Sequence, residues 1–337
     1  MLERGARSDN SWDTQYVKNA NIDDLDEEEI KRTVKIAVNA NRMDVEALSE
    51  PVEDVLMRLE LIHDNKLTNA AMALFAKTVT PNFSQCLIKM ARFRGESGTG
   101  EFIDNQMVHG NVFQIMKAAN DFLMKHLPVA SFFDESRLER IDKPLLPVLA
   151  IREALSNAIC HRDYAIHNAA ITLAIFDDRM EIWNNGSLPS SLTIDDLRKK
   201  HKSYPRNKKM AKVFYLRRYV ETWGTGTTKM IELCRSNNVP EPVFEEYSGG
   251  LSVTFKFKEK IGFSSEKTDA PLAPKQRRKS IISLLQNSEL LSAKEIYSEL
   301  SINVSFRTLK TDLLALQKQG LIKQIGKGKN IVWRLVV

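Results

Sequence analysis

The stretch Arg152–Tyr164 reads Arg-Glu-Ala-Leu-Ser-Asn-Ala-Ile-Cys-His-Arg-Asp-Tyr, and it sets a carboxylate and an amide four positions apart in an apolar helical pattern. Glu153 and Asn157 therefore share one face of the predicted helix. A buried polar group left unpaired costs about 1–3 kcal/mol, so the pair indicates either a structural hydrogen-bond network or a ligand site. The apolar residues that would seat this helix against a sheet are Ile151, Ala154, Leu155, Ala158 and Ile159.

The bulk composition is that of an ordinary globular chain. With 337 residues, 43% hydrophobic and 27% charged, it is long enough for about two or three domains. It has neither a run of about eighteen apolar residues nor the basic-then-apolar start of a signal peptide, so we expect a cytoplasmic protein without membrane association. Cys86, Cys160 and Cys234 lie far apart without metal-ligand spacing, which predicts reduced, buried thiols.

Charge is concentrated near the C-terminus. Residues 275–337 contain twelve Lys or Arg against four acids, a net charge of +8, whereas the rest of the chain is slightly acidic at −2. A basic module beside a near-neutral body is typical of a polyanion binder, although solvated lysines on an ordinary helical domain would give the same pattern.

The predicted fold class is α+β, with a mixed sheet that carries helices on one face. Strand patterns occur at 86–93, at 102–108 and at 251–257, and the alternating segments 169–176 and 179–184 form a hairpin around an Asp-Asp turn. We expect five segments. Residues 1–50 are an N-terminal tail and helix, 51–126 a helical or winged-helix-like module with a hairpin, and 127–260 the sheet domain. A linker follows at 261–275, and a terminal module at 276–337.

The terminal module has the pattern of a winged helix-turn-helix. Helices are predicted at about 276–287, 292–299 and 304–318, followed by a basic hairpin over 321–336. A winged helix that binds protein is the alternative. If it binds DNA, the candidate contacts are Ser305, Arg307, Thr308, Lys310 and Thr311 on the third helix and Lys327 and Lys329 on the wing.

Two glycine loops accompany the polar helix pair and point to a nucleotide. One loop, with Asn184 and Gly186, ends a strand; the other, Gly224-Thr225-Gly226, opens a helix, where backbone N–H groups can approach phosphate closely. Asn157 could offer its oxygen to Mg²⁺, and Glu153 could polarise an attacking water. A capping network at the helix edge is the competing interpretation of the helix pair.

The order of these motifs resembles the GHKL ATPase fold. It is still more similar to the RecG C-terminal-like, or Schlafen AlbA-type, transcriptional regulators, whose motifs include R-E-A-L-x-N-A-x-x-H-R-D-Y, N-x-G-x-L, an R-N pair and E-x-x-G-T-G. Here these fall at Arg152–Tyr164, Asn184–Leu188, Arg206-Asn207 and Glu221–Gly226. The resemblance covers about residues 10–337, and it implies a GHKL-like α/β sandwich followed by a winged helix.

Site roles follow from the resemblance, position by position. It implies that Glu153 is the catalytic base and that Asn157 is the Mg²⁺ ligand. The purine-side loop would hold Asn184 and Gly186, and Gly224 and Gly226, with Thr225 between them, would form the phosphate loop. Arg206 is a further candidate for binding phosphate, with a solvated basic loop as the alternative. Two positions depart from the GHKL pattern: Asn184 stands where an Asp accepts from the adenine amino group, and Leu188 replaces a glycine.

The resemblance carries two further expectations. The family's N-terminal AlbA-type domain would precede Trp12, where only its tail could fit, so that domain is expected to be truncated or missing. No G-x-x-x-x-G-K-[ST] motif occurs in the sequence, so a helicase motor would lack its phosphate-binding loop. We therefore do not expect helicase activity.

The function predicted from the sequence is a DNA-binding transcriptional regulator that binds ATP and Mg²⁺ in a GHKL-like domain. A homodimer is expected, because winged-helix regulators commonly read paired half-sites. A Mg²⁺-dependent ATPase that uses Glu153 as its base is one alternative, and a nucleotide-free scaffold is another.

Overall fold

A computed structural model describes residues 11–78, 83–127, 129–133, 140–221, 224–258, 274–286, 290–300, 305–326 and 331–336. The chain divides into two compact units, Met1–Ile261 and Gly262–Val337. Within the described parts, no helix combines the length and apolar character needed to cross a membrane.

Seven α-helices are described in the first unit, and local sequence explains where several begin. The Asp26 side chain accepts from Glu29 N at the start of α1, and Asn111 forms a capping box with Gln114 at the start of α4. The helices are α1 Glu27–Asn39, α2 Val52–Arg58, α3 Asn69–Phe75, α4 Val112–His126, α5 Val148–His161, α6 Lys208–Leu216 and α7 Gly226–Ser236.

The strands that the structure describes in the first unit form one large sheet and two small hairpins. The large sheet has six strands in the order β4-β3-β7-β8-β10-β9; β3 and β7 are parallel and the other pairs are antiparallel. The strands are β1 Ile62–His63, β2 Lys66–Leu67, β3 Leu87–Phe93, β4 Phe102–His109, β5 Val129–Phe133, β6 Arg140–Pro144, β7 Ile171–Ile175, β8 Arg179–Asn185, β9 Val243–Tyr247 and β10 Gly250–Lys256.

One face of the six-stranded sheet is buried. Along β7, Ile171, Leu173 and Ile175 are buried while the residues between them are half-buried, and β8 repeats the alternation with Met180 and Ile182. Helix α4 packs against β3, and α5 packs against β8. The predicted α+β class and mixed sheet are confirmed, as is the hairpin of β7 and β8.

The hairpin assigned to the 51–126 module belongs to the large sheet. Strand β3 pairs in parallel with β7, with Ile88 opposite Ile171. The segments 51–126 and 127–260 therefore share one sheet and lie within one compact unit. Local patterns identify the β3–β4 hairpin, but a parallel pairing joins segments that are distant in the chain, and it leaves no local signal.

The described residues of the second unit form three helices and a three-stranded antiparallel sheet with strand order β11-β13-β12. Its core includes Ile281, Leu313 and Trp333. Residues 327–330, within the hairpin predicted over 321–336, and most of the linker lie outside the described residues. The elements are α8 Pro274–Gln286, β11 Leu291–Ser292, α9 Ala293–Glu299, α10 Phe306–Lys318, β12 Ile322–Ile325 and β13 Val332–Leu335.

Candidate functional site

The polar pair on α5 faces α7, the helix that packs alongside it. Burial raises the pKa of the Glu153 carboxyl, and the nearby Glu221 adds a smaller upward contribution. A hydrogen bond from Asn157 and the charges of Lys229 and Arg152 act in the opposite direction. Because the Asn157 amide donates to Glu153, its carbonyl oxygen is the atom left to bind a ligand or a cation.

Gly226, the first residue of α7, lies directly against this pair. A Cβ at this position would fall 2.1 Å from Oε1 of Glu153 and 3.5 Å from Nδ2 of Asn157. Only glycine lets the α7 backbone approach α5 so closely without displacing the Glu153 carboxylate. The beginning of α7 and the polar pair therefore form one continuous surface.

Gly224 contacts a different segment, the loop 199–205. Its φ is +68°, and a Cβ would lie 2.1 Å from the backbone oxygen of His201 and 3.0 Å from the nitrogen of Ser203. The His201 ring nitrogen Nε2 lies 2.9 Å from Oγ1 of Thr227, which adds a side-chain link between that loop and the first turn of α7. Gly224 thus allows the backbone before α7 to pack closely against the loop 199–205.

The end of β8 lies against the end of α5. Asn184 is buried, and its Nδ2 donates to the backbone oxygen of Asn185 at 3.2 Å. Gly186 has a φ of +129°, and a Cβ there would fall 2.7 Å from the backbone oxygen of His161. Nδ2 of Asn185 also donates to the backbone oxygen of Asp163 at 2.7 Å. The loop with Asn184 and Gly186, predicted to lie beside the purine, therefore packs closely against the C-terminal end of α5.

These segments enclose a cavity of about 400 Å³. That volume lies within the range typical of small-molecule sites. Apolar side chains from the sheet, from the loop after β8 and from α7 supply much of the wall, including Leu188, Met230, Phe244 and Val253. The structure places six of the sequence-predicted ligand residues on this one cavity: Glu153, Asn157, Asn184, Gly186, Gly224 and Gly226.

Two of the predicted ligand residues serve other contacts. Arg206 donates from Nε to the backbone oxygen of His161 at 3.3 Å and from Nη2 to that of Ser187 at 3.1 Å. Thr225 precedes α7, and its carbonyl accepts from Lys229 N at 2.8 Å. Neither residue is among those that line the cavity. Arg206 instead fastens the β8 loop to the α5 terminus.

The cavity also has polar walls that the sequence analysis did not anticipate. Lys202, Lys208 and Lys212 contribute to the lining, and so do Glu221 and Tyr215. The spacing of 208, 211, 212 and 215 marks one face of a helix, but nothing local shows that this face meets a ligand cavity. His161 also lines it, with a pKa lowered to about 4 by burial and by the charges of Arg206 and His201.

A metal ion at this site would need most of its coordinating oxygens from water or from a bound phosphate compound. Among the residues that the structure describes, no group of three or more His, Cys, Asp or Glu could hold a metal ion. Mg²⁺ prefers oxygen ligands and often takes several from water and substrate phosphates. The Asn157 oxygen beside the Glu153 carboxylate fits that mode of binding, in which the protein supplies few ligands.

The candidate DNA-contact residues lie at the start of α10. The Ser305 hydroxyl accepts from Thr308 N at 3.1 Å and caps the helix, and Thr311 Oγ1 donates to the backbone oxygen of Arg307 at 3.1 Å. Arg307, Lys310 and Thr311 are exposed, whereas Thr308 is half-buried. The basic side chains are thus available to solvent while hydroxyls stabilise the helix. Lys327 and Lys329 lie outside the described residues.

The mixed sheet with helices packed against it is consistent with a GHKL-like α/β sandwich. Residues 168–255 match the family model described as "Putative ATP-dependent DNA helicase recG C-terminal". The resemblance to RecG C-terminal-like proteins is therefore confirmed for this segment, which contains β7 to β10 and the glycine loops. Helix α5, with Glu153 and Asn157, lies outside the matched residues.

One solved structure resembles most of the chain in its fold. The DIP2311 protein from Corynebacterium diphtheriae matches with a TM-score of 0.60 and 17% sequence identity, over 96% of this chain. The chain spans 64% of the length of that protein. At this identity the likeness shows a shared fold alone. Among curated proteins, none matches the chain significantly.

Proposed function

We propose that the first unit binds a nucleotide, ATP together with Mg²⁺, in the cavity between α5, α7 and the sheet. The observation that carries the proposal is that six residues from three separate sequence motifs line one cavity of about 400 Å³. The match of residues 168–255 to an ATPase-type family supports the same ligand.

In this proposal, each wall of the cavity has a distinct chemical role. Asn184 and the apolar wall around it would hold the base, and the Nδ2 bond to Asn185 leaves the Asn184 oxygen as an acceptor for an amino group. Asn157 would provide an oxygen to Mg²⁺. Glu153, whose pKa is raised by burial, would accept a proton from water if the bound nucleotide is hydrolysed.

We further propose that the second unit binds DNA, so that the whole chain is a transcriptional regulator. Three helices with a small antiparallel sheet, whose first strand lies between the first two helices and whose other two strands follow the third, are the arrangement of a winged helix. In such a module the third helix lies in the major groove. Arg307 and Lys310 on the exposed surface of α10 suit that role. Reading paired half-sites would require a homodimer.

Calorimetric titration of the full chain with ATP and ADP, with and without Mg²⁺, tests the nucleotide proposal. We expect saturable binding that Asn157→Ala weakens. Turnover that is lost in Glu153→Ala would favour the ATPase over a regulator that binds without hydrolysis. If no nucleotide binds and none shifts the melting temperature, the chain is a scaffold and the proposal is wrong.

A further inference from the structure

Helix α6 separates the cavity from the N-terminal segment, residues 11–60. Its buried side chains, Met210, Val213 and Phe214, join the core of the first unit. Helix α6 contacts α1 of the N-terminal segment. The residues through which it lines the cavity are Lys208, Ala211, Lys212 and Tyr215.

The N-terminal segment holds α6 at both ends through polar contacts. At the first turn, Lys209 N donates to Oδ2 of the buried Asp13 at 2.7 Å, so a distant carboxylate caps the helix. At the other end, Arg217 pairs with Glu29 and donates to Thr33 Oγ1 at 3.0 Å. These contacts leave little freedom for α6 to move independently of residues 11–60.

A third contact, that of Arg42, reaches two residues of the cavity wall. Its Nη2 lies 3.0 Å and 3.2 Å from the two carboxylate oxygens of Glu221, and its Nη1 donates to the backbone oxygen of Tyr215. The guanidinium also lies 4.0 Å from the centre of the Tyr215 ring. The Arg42 side chain is 15% exposed and that of Glu221 is 43% exposed, so the pair lies at the edge of the cavity with its carboxylate partly open to solvent.

The charge of Glu221 gives the contact a consequence for ligand binding. Glu153 and Glu221 both line the cavity, and a nucleotide would bring several more negative charges. An uncompensated Glu221 would repel those charges, because like charges in a partly desolvated site interact strongly. One terminal nitrogen of Arg42, Nη2, contacts both oxygens of this carboxylate and compensates its charge, while Nη1 is bound to Tyr215.

We infer that Arg42 is a positioning residue of the cavity: it neutralises Glu221 and holds Tyr215, so that the N-terminal segment sets the affinity for an anionic ligand. The inference rests on the proposed nucleotide function and adds a regulatory element to it. Any event that displaces residues 11–60 would change ligand affinity through α6 and Glu221.

The test compares ATP with adenosine, which has the same base and ribose but no phosphates, by calorimetry on the full chain. Arg42→Ala should weaken ATP binding about tenfold, a typical coupling between sites, and should leave adenosine binding nearly unchanged. Adding Glu221→Gln to Arg42→Ala should restore ATP affinity. The matched control is Lys31→Ala, which removes a cation of α1 whose ion pairs within the described chain are with the exposed helix residues Glu27 and Glu28.

Several outcomes would overturn the inference. Unchanged ATP affinity in Arg42→Ala would do so, as would an equal loss for ATP and adenosine that Glu221→Gln does not reverse. If circular dichroism shows that Arg42→Ala is unfolded, Glu221→Gln alone decides, because it should bind ATP at least as tightly as the unaltered chain. Failure of the unaltered chain to bind ATP would instead refute the proposed function, and the inference with it.

Discussion

The carboxylate of Glu153 occupies the space beside Gly226, with Oε1 only 2.1 Å from the position that a Cβ of residue 226 would take. The start of a helix is ordinarily a good anion site, because its N–H groups and dipole favour negative charge. Here a carboxylate already lies at that place. A phosphate bound at the start of α7 would therefore lie beside a second negative charge unless a proton or a cation lay between them.

Nucleotide affinity should therefore depend on Mg²⁺ through Glu153. We expect removal of Mg²⁺ by a chelator to weaken ATP binding at least about tenfold, since like charges in a partly buried site repel. In Glu153→Gln the same removal should have a much smaller effect. Calorimetry in both conditions measures the difference, and an equal Mg²⁺ dependence in the two proteins would contradict the explanation.

Gly226→Ala should impair the site more than it affects folding. The atom that the new methyl group meets is the end of a side chain, so Glu153 can rotate away, and alanine is favoured over glycine in a helix by roughly 0.5–1 kcal/mol. We expect little change in unfolding free energy but a clear loss of ATP affinity. Gly98→Ala is the control, because its Cβ would meet nothing nearer than Phe176 at 4.0 Å.

Gly224→Ala should be destabilising, because neither its φ nor its neighbours can accommodate a side chain. A Cβ there meets the backbone oxygen of His201 at 2.1 Å, whereas Gly249 has a similar φ of +71° and nothing within 4 Å. Gly249→Ala should cost about 1–2 kcal/mol for the left-handed conformation. We expect Gly224→Ala to cost roughly 1–3 kcal/mol more. Chemical denaturation measures both, and equal losses would show that the contact with His201 relaxes freely.

The raised pKa of Glu153 predicts a pH-dependent effect on stability. Burial disfavours the ionised form, so the pKa of the Glu153 carboxyl in the folded state lies above its ordinary value of 4.5. The free-energy cost of the buried charge is absent below that ordinary value, develops as pH rises above it and is complete above the raised folded-state pKa. Glu153→Gln should therefore stabilise the protein near pH 7 and have little effect near pH 4. Melting temperatures across this range test it, with the exposed Glu232→Gln as the control.

Sequence reasoning succeeded where the signal is local. The hairpin of β7 and β8 shows alternating burial, and the α5 pair follows from a spacing of four residues. The parallel pairing of Ile88 with Ile171 has no such signature, since α4 and α5 intervene between the two strands. The domain boundary predicted near residue 126 falls between two segments that share one sheet.

The same limit applies to the cavity. Glu153, Asn157 and the glycines belong to motifs that can be read along the chain, and they do meet at one cavity. Arg42 belongs to none of these motifs. It lies shortly after α1, and the packing of α6 on α1 brings it close to Glu221, which lies shortly after α6. Arg206 shows the converse: it stands in a motif that suggests phosphate, and two of its donors bind backbone carbonyls, so its phosphate contact stays a prediction. The chemistry of a side chain can be predicted from the sequence, but the groups that it contacts depend on the fold.

DNA binding by the second unit should depend on the first half of α10. Arg307→Ala and Lys310→Ala should each weaken binding to duplex DNA and reduce the slope of log affinity against log salt by about 1, because each removes one cation that can neutralise a phosphate. Lys318→Ala makes the same charge change in the last turn of α10. The N-terminal part of a recognition helix is the part that enters the groove, so this control should have a smaller effect. Mobility shifts at several salt concentrations measure all three variants. If Arg307→Ala combined with Lys327→Ala binds DNA as the unaltered chain does, the proposed DNA contact is wrong.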